Sequence, residues 1–295
     1  MMRRATILLA ALVAAMSLAA ADSFRLAPYK DKLFANPSPF KELYDGSLRM
    51  VEYSLERDLR QRDSIPEKRA KEEYVSLDTK KTEQTLTMRD GDVSTKLAVA
   101  GNVESPKAVV IFLHGRGAGL ADGFDDWTFG GNFNRLKNLM MRNGGAYVSP
   151  SFSDFDEGGM AQIKGVMKAF AENSPGAPIF VACASSASSL CVGLVDDAET
   201  APLLGGILFL GASVEDTDAE VFTQNKRQVP IYIGHGSKDP VVNWVSQEFF
   251  LKRVKEAAPD YPIRFNLYVP GYHGTPMRMT DWRKVINWML SVQDS

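Results

Sequence analysis

Histidine is scarce in this chain and cysteine scarcer, three and two residues respectively among 295. No Cys/His cluster has zinc-site spacing, so the sequence predicts no bound metal. The acidic loop Asp154-Phe155-Asp156-Glu157 has no histidine beside it and reads as a cap for the helix that follows. Neither sign of charge is in large excess: 34 Lys and Arg stand against 36 Asp and Glu, a net of −2. Nothing in that balance would draw the chain to nucleic acid. Low-complexity tracts and internal repeats are absent, so the composition is that of a globular protein long enough to bury a large core.

Long apolar runs are also missing, with one exception at the start. Arg3 and Arg4 precede a Leu- and Ala-rich stretch over residues 5–20, which ends in Ala19-Ala20-Ala21. A basic start, a short apolar run and small residues at the end are the marks of a secretory signal peptide, residues 1–21. The run is short for a bilayer span. Cleavage after Ala21 is therefore expected, with no stable membrane span afterwards and a periplasmic or secreted location. Exported proteins can form disulfides. Here Cys183 closes a strand and Cys191 lies two turns into the next helix. At about 1.5 Å of rise per residue, that separation exceeds disulfide reach. The spacing predicts two buried thiols.

Residues 22–80 read as an N-terminal extension of loops and one or two short helices, with a charged stretch over residues 56–73 as a solvated face. Residues 81–295 form the main domain. Two alternating runs, 82–88 and 93–99, flank Asp90-Gly91-Asp92 and predict a β-hairpin. Beyond it, apolar strands are expected at 107–113, 146–152, 179–182, 204–210, 229–233 and 263–269. Helices are expected at 133–141, 160–172, 190–194, 242–257 and 280–292. Strands that alternate with helices predict βαβ units, hence an α/β protein with a mostly parallel, doubly wound sheet and an antiparallel N-terminal hairpin.

The third of those apolar strands, 179–182, runs into Cys183-Ala184-Ser185-Ser186-Ala187, a corner of small residues before a helix. Small flanks permit a tight strand-to-helix turn, and the helix start aims free N–H groups at the serine. The glycines of the G-x-S-x-G pattern are replaced by Cys183 and Ala187. Ser185 keeps small residues at both flanking positions and is the candidate nucleophile, with Ser186 as the alternative.

Ligand sites of such sheets lie beyond the carboxyl ends of the strands. Three further strings fall there. His114-Gly115-Arg116-Gly117-Ala118-Gly119 lacks the spacing of a dinucleotide fingerprint and reads as a loop whose N–H groups face the serine. Gly234-His235-Gly236-Ser237-Lys238-Asp239 places an aspartate just past a strand. Pro270-Gly271-Tyr272-His273-Gly274 places a histidine between turn residues, a candidate general base. His114 and His235 read as braces for their loops.

The order Ser185, Asp239, His273 resembles that of the α/β-hydrolase superfamily, nearest to its small carboxylesterase, phospholipase and acyl-thioesterase group. The resemblance covers roughly residues 82–292. It implies an α/β-hydrolase-type sheet and a serine hydrolase in which Ser185 attacks a carboxylic ester, a thioester or a lysophospholipid. His273 would carry the proton, and Asp239 would orient the imidazole. The N–H groups of Arg116, or of Gly117, and of Ser186 would form the oxyanion hole. It implies no cofactor, and a small-molecule ester or lipid as partner. The short segment 211–228 leaves no room for a large cap. Trp127 and Phe129, after the oxyanion loop, are candidates for an apolar substrate wall. Two other readings stay open: a catalytically silent fold used for binding, and a thiol hydrolase acting through Cys183.

Overall fold

A computed structural model describes residues 24–64, 69–225 and 227–293. The signal-peptide stretch lies outside the described residues. In chain order the elements are α1 (Asp31–Phe34), β1 (Lys41–Leu43), β2 (Leu48–Glu52), β3 (Asp63–Ser64), β4 (Arg69–Ala70), β5 (Gln84–Asp90), β6 (Val93–Gly101) and β7 (Val109–Leu113). Then come α2 (Leu120–Phe124), α3 (Asn132–Arg142), β8 (Ala146–Ser151), α4 (Glu157–Asn173), β9 (Ile179–Ala184), α5 (Ser188–Asp196) and β10 (Leu204–Leu210). The chain closes with α6 (Ala219–Thr223), β11 (Ile231–Gly236), α7 (Trp244–Ala257), β12 (Ile263–Val269), α8 (Thr275–Met279) and α9 (Trp282–Gln293).

Among the described residues, ten strands share one sheet in the order β1-β2-β12-β11-β10-β9-β7-β8-β6-β5. The stretch from β2 to β8 is parallel throughout. Antiparallel pairs finish both ends: β1 with β2, and the β5–β6 hairpin against β8. Every residue of β7, β9 and β10 is buried, which is why those strands are continuous apolar runs rather than alternating ones.

One face of the sheet is covered by α4, α5, α6 and α7 through Ile163, Phe170, Leu190, Leu194, Phe222, Phe250 and Val254. The other is covered by α3 and α9 through Phe133, Leu136, Met140, Trp282, Ile286 and Met289. Helix α3 also buries two charges. Arg135 and Lys137 have fully buried side chains. Arg135 bonds Asp281 and Asp31 at 3.1 and 2.9 Å. Lys137 bonds Asp126 and Glu83 at 2.5 and 2.9 Å.

The segment expected to be loops and short helices adds strands instead. β2 pairs in parallel with β12, and Tyr53 N–H donates to Val269 O at 2.9 Å. Its sequence, Leu48-Arg49-Met50-Val51-Glu52, has burial that does not alternate: Leu48 and Val51 are buried and the residues between them half-buried. A period-2 pattern is what reveals a strand, and this short one near the sheet edge has none.

Candidate active site

The corner after β9 is sharp. Ala184 is extended, Ser185 turns to a left-handed φ of 50°, and α5 begins at Ser188. A left-handed non-glycine residue costs roughly 1–2 kcal/mol and persists only where its surroundings hold it. Cys183 and Ala187 are fully buried on either side, as a turn this tight requires. Gly115 closes over the corner: a Cβ there would lie 2.9 Å from Ser185 Cβ, so only glycine lets the loop approach. His114 braces that loop, stacked on Phe152 at 4.3 Å between centroids. Ser186 lies in the first helical turn after the corner, where N–H groups have no intrahelical acceptor. Arg116 is exposed, its guanidinium 5.2 Å from the Phe155 ring centroid.

The two cysteines form a disulfide rather than two thiols, with 6.3 Å between Cα atoms. Counting rise along strand and helix overestimated the gap. The chain reverses at the corner, so α5 runs back beside β9 and brings residue 191 level with residue 183. The bond brackets Ser185 from both sides.

Asp239 and His273 meet. The imidazole Nδ1–H donates to Asp239 Oδ2 at 2.7 Å, and the carboxylate is fully buried. Asp239 Oδ1 accepts from the N–H groups of Val241 and Val242 at 2.8 and 3.1 Å. Burial alone would raise this carboxyl's pKa. Hydrogen bonds from His235, His273 and the two backbone donors outweigh it and hold Asp239 well below the usual carboxylate range. The two loops are laced together: Lys238 N–H donates to Gly271 O at 2.7 Å and Ser237 N–H to Tyr268 O at 2.9 Å. A Cβ on Gly236 would strike the Gly271 carbonyl carbon at 2.5 Å.

His235 does more than brace its loop. Its side chain is fully buried, with Nε2 3.1 Å from Val242 O and 3.3 Å from Asp239 Oδ2. Both neighbours are acceptors, which assigns the proton to Nε2. The carboxylate that holds His273 therefore has a second imidazole beside it, whose Nε2–H donates to Val242 O. The four-residue step in His235-Gly-Ser-Lys-Asp239 was the signal available in the sequence.

Strand register places the third group. Leu210 pairs with Ala184, so Gly211 stands beside Ser185 on the neighbouring strand. A Cβ on Gly211 would lie 3.4 Å from His273 Nδ1. The imidazole thus lies at the end of β10, the strand next to the one that ends in the serine. Among the described residues, Ser185 Oγ makes no hydrogen bond, and catalytic contacts of this kind often tighten only with substrate bound. Among the described residues of 211–228, the helical elements are a 3₁₀ turn (Asp216–Asp218) and α6, too short for a large cap.

The two aromatic candidates part company. Phe129 has φ of 47° and reaches the His273 loop: a Cβ on Gly274 would be 3.4 Å from Phe129 Cε1. Trp127 packs under the Arg69 guanidinium, 3.2 Å from its ring centroid. It lines a groove of about 640 Å³ with Leu77, Lys80, Leu120 and Phe124, and none of Ser185, Asp239 or His273 lines that groove. Among the described residues no group of three or more His, Cys, Asp or Glu side chains converges as metal ligands would.

A parallel sheet wound on both faces, with a left-handed serine after one strand and a paired aspartate and histidine after two others, has the α/β-hydrolase fold. Solved structures agree on the fold. A thermostable esterase matches with a TM-score of 0.57 at 17% identity, over 72% of this chain and 63% of that one. The chain thus spans a little under two thirds of that esterase. An esterase from Pyrococcus furiosus gives 0.53 at 12% identity, over 74% and 96%. A lidless α/β serine hydrolase from Xanthomonas campestris gives 0.50 at 14% identity, over 72% and 95%. No protein-family model and no curated protein matches the sequence.

Proposed function

We propose that the protein is an exported serine hydrolase that cleaves a carboxylic ester, a thioester or a lysophospholipid without a cofactor. The 2.7 Å contact between His273 Nδ1 and Asp239 Oδ2, beside a serine held left-handed, carries this reading. Ser185 Oγ attacks the carbonyl carbon while His273 Nε2 takes its proton. The imidazolium is stabilised by Asp239, then protonates the leaving oxygen or sulfur. Water, deprotonated by the same nitrogen, releases the acid and restores Ser185. The N–H groups of Arg116 and Ser186 stabilise the oxyanion, each worth about 3 kcal/mol in comparable sites. Ser185 is preferred over Ser186 because the left-handed corner and the approach of Gly115 both fall on it.

The short 211–228 segment suits a substrate that enters from open solvent, with Phe129 as its apolar wall. The structural neighbours named as esterases support a hydrolase, and the disulfide supports an oxidising compartment. A fluorophosphonate probe tests the reading: the protein labels, and Ser185→Ala abolishes labelling. Labelling lost only in Ser186→Ala would move the nucleophile by one residue. One observation favours a second reading, a silent binding protein: the unbonded Ser185 hydroxyl. Absence of labelling in the wild-type protein would decide for it.

A further inference from the structure

We propose that Arg62 and Asp63 of the N-terminal segment are positioning residues for His273 and Phe129. The proposal rests on the hydrolase reading for its kinetic arm only. Asp63 has a fully buried side chain and holds Arg278 by both oxygens, at 2.9 and 2.6 Å. A forked pair of this kind fixes direction as well as distance. Arg278 also donates to Asp58 O at 3.1 Å. Arg278 lies in α8, the helix that opens just after His273. The first residue of that helix, Thr275, is bonded to Tyr272 twice: its N–H donates to Tyr272 O at 3.0 Å, and its Oγ1 accepts from Tyr272 N–H at 2.8 Å. Asp63 therefore anchors the far end of the loop that carries the imidazole.

Arg62 works on the other side. Its Nε donates to Gly130 O at 2.9 Å and its Nη1 to Arg278 O at 3.3 Å. Its guanidinium lies 4.3 Å from the Phe34 ring centroid, in a site so buried that the side chain is only 5% exposed. Phe129, Gly130 and Gly131 are all left-handed, with φ of 47, 62 and 72°. A left-handed phenylalanine needs support from its surroundings. Here the support is visible: a Cβ on Gly130 would lie 2.5 Å from Arg62 Nε and 2.6 Å from Arg278 Nη1. The two arginines press on that glycine and aim Phe129 at Gly274, next to His273.

A tether alone would not need this chemistry. Two buried guanidiniums side by side repel, and apolar side chains of similar volume commonly hold a segment as firmly. The charged fork supplies orientation, and it ends on the loop and the turn that flank the imidazole.

The chain has three histidines, so imidazole NMR reports on each one separately. The test compares wild type with Asp63→Asn and Arg62→Met, each shown folded by circular dichroism. The His273 ring resonances are expected to move in Asp63→Asn while those of His114 stay. Turnover of p-nitrophenyl acetate, counted per titrated active site, should fall about tenfold or more in kcat for Asp63→Asn. Arg62→Met should mainly raise KM through Phe129. If Asp63→Asn does not fold, Asp63→Glu is read in the same way. Unchanged His273 resonances in a folded Asp63 variant overturn the proposal, as does an unchanged per-site kcat. A wild-type protein that turns over nothing, yet whose His273 resonances respond to Asp63→Asn, keeps the positioning role and removes the hydrolase.

Discussion

Replacing Asp239 by asparagine tests the site at its centre. In the native arrangement Oδ1 accepts two backbone N–H groups, while Oδ2 accepts from His273 and lies 3.3 Å from the His235 N–H. In Asp239→Asn the carbonyl oxygen keeps the backbone donors, since an amide there would face two N–H groups. The NH₂ then faces His273 Nδ1 and His235 Nε2. Donor meets donor at both, and the His273 ring must move its proton to Nε2 to offer Nδ1 as acceptor. A protonated Nε2 cannot take the Ser185 proton. The loss expected for a wrong tautomer is about 10⁴ in kcat, or about 5.5 kcal/mol of barrier. Stability changes too. The folded carboxyl lies below its unfolded value, so its contribution is present above the unfolded pKa, about 3.9. It is lost as pH falls through the folded value. Asp239→Asn should unfold more easily at neutral pH by about 1.5–3 kcal/mol, the worth of a charge-assisted hydrogen bond. The deficit relative to wild type should shrink below about pH 4. Initial rates on p-nitrophenyl acetate and urea melts at pH 7 and pH 3 are the assays. A variant that keeps more than a tenth of wild-type kcat would refute the tautomer argument.

Gly115→Ala should lower kcat/KM at least tenfold with a small loss of stability, because the added methyl meets Ser185 Cβ at 2.9 Å; thermal melts beside ester kinetics separate the two effects. Lys137→Met removes the buried cation between Glu83 and Asp126 and leaves the half-exposed Lys80, at 2.8 and 2.7 Å, as the cation that still bonds both; with part of the charge still compensated, it should destabilise the fold by about 1–3 kcal/mol in urea titration. Cys191→Ser opens the short loop closed by the disulfide and should lower stability by about 2–3 kcal/mol. In the same variant, fluorophosphonate labelling per folded molecule should slow as the corner loosens.

Much of the architecture was legible because burial on both faces leaves a one-dimensional trace. The runs at 204–210 and 263–269 match β10 and β12 residue for residue. The helices α3, α4, α7 and α9 fall within a few residues of their expected ends. Candidate polar groups were legible for a topological reason, since residues just past parallel strands converge at one rim; the pairing of Asp239 with His273 came from the resemblance to the α/β-hydrolases. What escaped was short or non-periodic. β2 has no alternation, and α2, α6 and α8 are helices of a single turn or little more.

The chain's own order of residues determined the alternation of strand and helix and the one serine corner between small neighbours, because local turn sterics and apolar burial act within a few residues. Tertiary structure alone decided the Cys183–Cys191 bond and the grip of Asp63 on Arg278 across 215 positions. Each of these depends on where the chain reverses and which loops then press together. A string of residues carries no direct record of that, because hydrogen bonds and disulfides select by distance in space and not along the backbone.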